Sequence, residues 1–178
     1  EANWAPFERS VVASQIDGIK IQTSPSKDYY IQYQTQHEDR SEFFPTVKST
    51  DDDYAGYPGL PIQKLSIGVY SNDGVSLDAG VIVMYRVRTS EHGWLPWVSN
   101  AAPEWMRNMQ SKYSLGGELD TSSDYAGIDG ENITGVSIRI FEETSTNPGT
   151  GDFDGDETEM TLSYMANSES NWQGFDHR

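Results

Sequence analysis

The chain has 178 residues, enough for one domain with a proper core and no covalent staples. Acidic residues outnumber basic ones 28 to 12, a net charge of −16, which opposes binding to nucleic acid or anionic membranes, since both call for clustered Lys and Arg. There is no cysteine, hence no disulfide framework, thiolate metal site or thiol nucleophile, and no apolar run has the length of a membrane span.

Taken in chain order, the sequence reads as strands and loops. It starts at Glu1 with no initiating Met and no signal peptide, as expected of a processed or excised mature form. After Trp4-Ala5-Pro6-Phe7 come alternating runs at Ile19–Thr23 and Tyr29–Thr35, then an aromatic-x-Pro-x-Val segment, Phe44-Pro45-Thr46-Val47 preceded by Phe43. An acidic Asp51-Asp52-Asp53 leads into an Asp-Tyr-Ala-Gly turn and the strand Leu65–Tyr70. A further strand, Val81–Thr89, is followed by Trp94-Leu95-Pro96-Trp97-Val98-Ser99-Asn100. Residues from Ala101 to Ser123 form an insertion of roughly 20 residues, behaving as loops do, and its Ala102–Tyr113 stretch is the one predicted helix, with Pro103 and Glu104 suited to its first turn. The strands Val136–Phe141 and Met160–Met165 complete the set, and the 16 glycines and eight prolines fall between these runs.

The most telling feature is a repetition. Asp53 to Val69 reappears without gaps as Asp124 to Ile140, with Asp, Tyr, Ala, Gly, Gly, Ile, Ser and Ile at matching offsets. Each copy also follows a tyrosine-bearing strand (Tyr33, Tyr85) and an aromatic-Pro-Val segment. A third unit is split between the ends: Leu162-Ser163-Tyr164 and Trp172 at one, Trp4 to Ile21 at the other. The expected fold is a single all-β domain over 1–178, with units near 29–70, 81–143, and 160–178 plus 1–24. A three-fold pseudo-symmetric β-prism fits this best, with a β-trefoil as the alternative.

The run Tyr85 … Gly93-Trp94-x-x-Trp97-Val98-Ser99-Asn100, then Ala126-Gly127-x-x-Gly130 and Ser137-Ile138-Arg139-Ile140, resembles the clostridial hydrophobic W (ChW) repeat. The resemblance covers most of the second unit and more weakly the first, where Phe43 and Thr46 stand at the two tryptophan places and Ala101 replaces a usual glycine. It implies an extracellular, β-rich, often triplicated module of surface proteins, engaged in adhesion or glycan binding.

Five Trp and ten Tyr in a hydrophilic chain (mean hydropathy −0.65) supply rings on which sugars can stack, or a core. Trp94, Trp97 and Trp172 are candidate stacking residues; for Trp94 and its counterpart Phe43, packing in the core is the competing use. In the repeated turns, Asp53 with Tyr54 and Asp124 with Tyr125 are candidate glycan contacts, the Asp accepting sugar hydroxyls; its competing use is to cap its own backbone. Alternating carboxylates Asp152, Asp154 and Asp156 with Glu157 lie in a glycine-rich loop and could gather calcium, or simply be solvated. The three histidines, His37, His92 and His177, occupy polar positions expected at the surface, without metal-ligand spacing. Asn132-Ile133-Thr134 is a glycosylation sequon. No paired carboxylates, nucleophile elbow or phosphate loop marks an enzyme. The expectation is a secreted or surface-exposed lectin or glycan-binding module with two or three related sites, the alternatives being a protein-adhesion or structural module and, behind it, a glycoside-acting enzyme.

Overall fold

A computed structural model of the chain describes residues 10–76, 80–144 and 154–166, together with the backbone of 172–173. The described residues are almost wholly β. One sheet centres on β7 (Val81–Thr89) and β11 (Ile133–Glu143), with β1 (Ser10–Val12) and β12 (Gly155–Glu157) on β11, and β8 (Gly93–Trp94) and β9 (Val98–Ser99) on β7. A second centres on β3 (Tyr29–His37) and β6 (Ile62–Ser71), flanked by β4 (Val47–Lys48) and β10 (Ala126–Gly127). The third pairs β2 (Ile16–Gln22) with β13 (Thr161–Ala166) from the far end of the chain, flanked by β5 (Ala55–Gly56) and β14 (Trp172–Gln173). Every pairing between these strands is antiparallel.

Side-chain alternation assigns the faces. In β3, Ile31, Tyr33, Thr35 and His37 are buried, while Gln32, Gln34 and Gln36 on the opposite face stay half-exposed. The inward residues of all three sheets meet in one cluster, for example Ile19, Ile21, Tyr33, Leu65, Ile67, Tyr85, Val87, Ile138 and Leu162. Each fully buried aliphatic side chain contributes about 1.5–3 kcal/mol to holding the sheets together.

β7 breaks the alternation, being buried continuously from Val81 to Tyr85. A strand reads this way when both of its faces are covered. The cover is the insertion: α1 (Pro103–Tyr113) lays Met106 and Met109 over Ile82, Met84 and Phe141, and Trp97 and Leu115 complete this second core. Ala102 is the N-cap, Pro103 opens the first turn, and Ser114 closes the helix in the left-handed region at φ 55°.

Candidate ligand-binding cleft at Asp124

Both Asp-Tyr-Ala-Gly turns are pinned by the same set of contacts. Ala55–Gly56 pairs with Ile19–Gly18 of β2, and Ala126–Gly127 pairs with Leu65–Lys64 of β6. The glycines permit this approach: Gly56 has φ 135° and a Cβ there would lie 2.3 Å from the Asp17 carbonyl oxygen; Gly127 has φ 131° and its Cβ would lie 2.1 Å from that of Gln63. Ahead of each turn, a buried tyrosine hydroxyl bridges two strands. Tyr33 accepts the Ile21 N–H at 3.1 Å and lies 3.5 Å from the Asp53 carbonyl oxygen. Tyr85 lies 3.3 Å from the Asp124 carbonyl oxygen, beside the Ile67 N–H, and burial pushes its phenol up to about 12. After each turn, a side chain of the neighbouring strand takes a glycine N–H: Gly59 donates to Asp17 at 3.0 Å and Gly130 to Gln63 at 3.3 Å.

The two aspartate side chains differ. Asp53 accepts the Tyr54 N–H at 2.8 Å, the capping use, and Tyr54 packs against Met165. Asp124 is exposed, and among the described residues no donor reaches its carboxylate; only its carbonyl is engaged, by Tyr85 and by the Ser66 hydroxyl at 2.9 Å. Asp120 caps the preceding turn through the Ser122 and Ser123 N–H groups at 3.0 and 3.1 Å, which fixes the approach to Asp124.

Asp124 lines a cleft of about 170 Å³ on the outward face of β3 and β6. Gln32 and Gln34 form its floor with Ser66 and Gly68, Thr46 and Tyr70 stand at its sides, and Ser99 and Asn100 close it opposite. Asn100 is held by the Val83 N–H at 2.9 Å and the Val81 carbonyl at 3.2 Å. Tyr70 stacks on Tyr30 with centroids 5.8 Å apart, and the bare Gly68 leaves room for its ring, which a Cβ would approach to 3.2 Å. No lysine or arginine lines the cleft. A larger cavity of about 440 Å³ lies at Lys27, Tyr29 and Glu142, but its Glu142 carboxylate is already taken by Lys27 at 2.7 Å and by the Tyr29 hydroxyl.

The other candidates separate widely. Tyr125 has the Lys64 ammonium 4.6 Å from its ring centre and Phe43 at its edge, 6.3 Å away, while Lys64 also pairs with Asp129 at 2.6 Å. Arg86 lies 4.8 Å from the Trp94 ring and 4.6 Å from the Trp97 ring. Trp94 is half-buried, but Trp97 is only 2% exposed, with its indole N–H donating to the Gly116 carbonyl at 2.6 Å. Trp97 as a stacking residue is therefore corrected: it belongs to the core beneath α1 and offers no face to a ligand. The backbone of Trp172 lies in β14, and its side chain is outside the described residues.

Of the proposed calcium ligands, Asp152 lies outside the described residues. Asp154 and Asp156 face Lys112 of α1 at 2.8 and 3.3 Å, and Glu157 forms a fork with Arg139. Among the described residues no three His, Asp or Glu side chains converge as a metal ion requires, and no helix is long and apolar enough to cross a membrane. The expectation of surface histidines is also corrected for His37, which is fully buried and bonded to Thr35 and to the Leu60 carbonyl, each at 2.8 Å. His92 is exposed and pairs with Glu131 at 2.8 Å.

Sequence reasoning passed over the cleft floor. Its signal was the alternating Gln32, Gln34 and Gln36, an amide row on one face of a strand. No protein-family model, no curated protein and no solved structure matches this chain significantly.

Proposed function

We propose that this chain is a carbohydrate-binding module whose best-formed site is the cleft at Asp124. The observation that carries the reading is a carboxylate without a partner among the described residues, exposed on a cleft of amides and hydroxyls that also holds an aromatic ring. Carboxylates and amides accept hydrogen bonds from sugar hydroxyls, and an aromatic ring takes the C–H face of a pyranose. A small, half-open cleft of this kind suits a small ligand, and nothing in the cleft resembles the paired carboxylates of glycoside hydrolysis.

The proposed architecture is a three-unit β-prism. Its support is the pairing scheme: three central pairs, β3/β6, β7/β11 and β13/β2, each receive a short strand from another unit, β10, β1 and β5 respectively. Registers agree, with Tyr33 opposite Ile67 and Tyr85 opposite Ile138. In the split unit, Leu162 rather than Tyr164 takes that place, opposite Ile21. Three separate sheets around one core favour a prism over a trefoil. The ChW resemblance adds the expectation of a secreted or surface-exposed module.

The test is a glycan array probed with the purified chain, with and without calcium, followed by inhibition with free sugar. Binding that free sugar reverses supports the proposal. Silence across diverse glycans favours the protein-adhesion reading instead.

A further inference from the structure

We infer that the cleft at Asp124 is the one sugar site among the described residues, and that it takes a single uncharged sugar ring. This rests on the carbohydrate-binding reading and specifies its valency and ligand class. The repeat would suggest equivalent sites on every sheet. The side chains placed at matching registers argue otherwise.

Strand pairing identifies the matches. Ser66 follows Leu65, which pairs with Ala126; Lys20 follows Ile19, which pairs with Ala55; Ser137 pairs with Ser10 beside Val136 and Val11. Across the central pairs, Gln34 stands opposite Ser66 and Arg86 opposite Ser137. Val47 pairs with Tyr33 as Val98 pairs with Tyr85, so Thr46 in the first unit matches Trp97 in the second.

On the β7/β11 sheet the matching space is full. Trp97 and the Arg86 guanidinium occupy it, and the Trp97 indole and Arg86 both bond to the Gly116 carbonyl of the insertion. On the β2/β13 sheet, Lys20 replaces the small Ser66, and its side chain, 3% exposed, ion-pairs with Asp52 next to the turn. Among the described residues, the β3/β6 sheet alone combines three small or neutral residues at these positions, Thr46, Gln34 and Ser66. Its cleft is open because Thr46 stands where Trp97 would fill it.

The chemistry of that cleft selects the ligand class. Its volume of about 170 Å³ lies below the roughly 300–1,000 Å³ of pockets for drug-sized ligands, which favours one sugar ring over an oligosaccharide. Its one charged side chain is Asp124, and no lysine or arginine is present to balance an anion. A uronic acid or sialic acid would set a second carboxylate beside Asp124, in a chain of net charge −16. An uncharged pyranose gives the carboxylate two hydroxyl donors and gives Gln32 and Gln34 both donors and acceptors. With one site, binding carries no avidity within the chain.

The test is calorimetric titration of the full chain with methyl glucoside, methyl galactoside and methyl mannoside, and with glucuronic and galacturonic acids. Thr46→Trp, which installs the residue of the filled sheet, is titrated alongside. At least one methyl glycoside should saturate at one site per chain, its uronic counterpart should bind at least tenfold more weakly, and Thr46→Trp should bind nothing while melting normally. If Thr46→Trp does not fold, Gln34→Arg provides the same blockade. Two or three sites, equal binding of a uronic acid, or full binding by the blocked variant overturns the inference while carbohydrate binding stands. No binding of any sugar here or on the array overturns the inference and the functional reading together.

Discussion

The Tyr85 hydroxyl lies 3.3 Å from the carbonyl oxygen of Asp124, as the Tyr33 hydroxyl lies 3.5 Å from that of Asp53. Each hydroxyl also meets a backbone N–H of the adjacent sheet, from Ile67 and Ile21 respectively. A buried N–H without an acceptor destabilises a fold by about 1–3 kcal/mol. Tyr33→Phe and Tyr85→Phe should each lower stability by that amount in urea denaturation. Tyr85→Phe should also weaken sugar binding, because it frees the backbone at Asp124. A loss under about 0.5 kcal/mol, the scale of an ordinary surface substitution, would show that these bridges contribute nothing.

Gly127→Ala tests the close approach that builds the site. Its Cβ would lie 2.1 Å from the Gln63 carbonyl oxygen at a backbone φ of 131°. Both penalties act together, and the expected loss is about 3 kcal/mol or more. Gly56→Ala should behave alike, with its contact at 2.3 Å to Asp17. Chemical denaturation reads both, and a neutral outcome for either would contradict the pairing of turn and strand.

His37 predicts an acid-sensitive fold. Burial holds its imidazole below the ordinary histidine value, against opposing influences from the Leu60 carbonyl and Asp17, and Phe44 stacks on the ring at 4.6 Å. The fold therefore favours the neutral ring. The stability this provides is complete above the unfolded value of about 6.5 and is lost as pH falls below it through the folded value. Melting midpoints measured from pH 7.5 downward should fall in that window, and His37→Gln should flatten the slope. An unchanged slope in the variant would assign the acid response to other groups.

Lys112 occupies the acidic loop in the manner of a bound cation, reaching Asp154 at 2.8 Å, the Gly155 carbonyl at 2.9 Å and Asp156 at 3.3 Å. Exposed ion pairs contribute little, so Lys112→Met should cost about 0.5–1 kcal/mol. With that ammonium gone, millimolar calcium should raise the melting midpoint of the variant more than that of the parent chain. A parent that shifts as much as the variant would mean calcium displaces Lys112 or binds elsewhere.

Much of the fold was legible because its signals are local and periodic. The six long strands, the helix beginning at Pro103 and the repeated turn all followed from alternation, turn residues and self-similarity. The short strands at Val47–Lys48, Gly93–Trp94 and Val98–Ser99 span two residues each, too few for any period to register. Trp97 was misassigned because an aromatic beside an insertion looks the same whether the insertion covers it or leaves it open. The uninterrupted Val81-Ile82-Val83-Met84 was the available clue, since a strand apolar on both faces must be covered on both. His37 was missed because its partners, Thr35 and Leu60, come together only through the β3/β6 pairing. The difference between Asp53 and Asp124 lies in the strand that meets each turn: Lys20, paired with Asp52, beside one, and the small Ser66, bonded to the Asp124 carbonyl, beside the other.

That difference gives the most direct measurement: titration of the sugar identified on the array against Asp124→Ala and Asp53→Ala, with melting midpoints for both. Asp124→Ala should lose at least about tenfold in affinity, or roughly 1.4 kcal/mol, and melt like the parent chain, since its carboxylate has no internal partner among the described residues. Asp53→Ala should keep its affinity and lose about 1 kcal/mol of stability with the Tyr54 N–H cap. Unchanged affinity in Asp124→Ala, or equal losses in the two variants, would contradict a sugar site centred on Asp124.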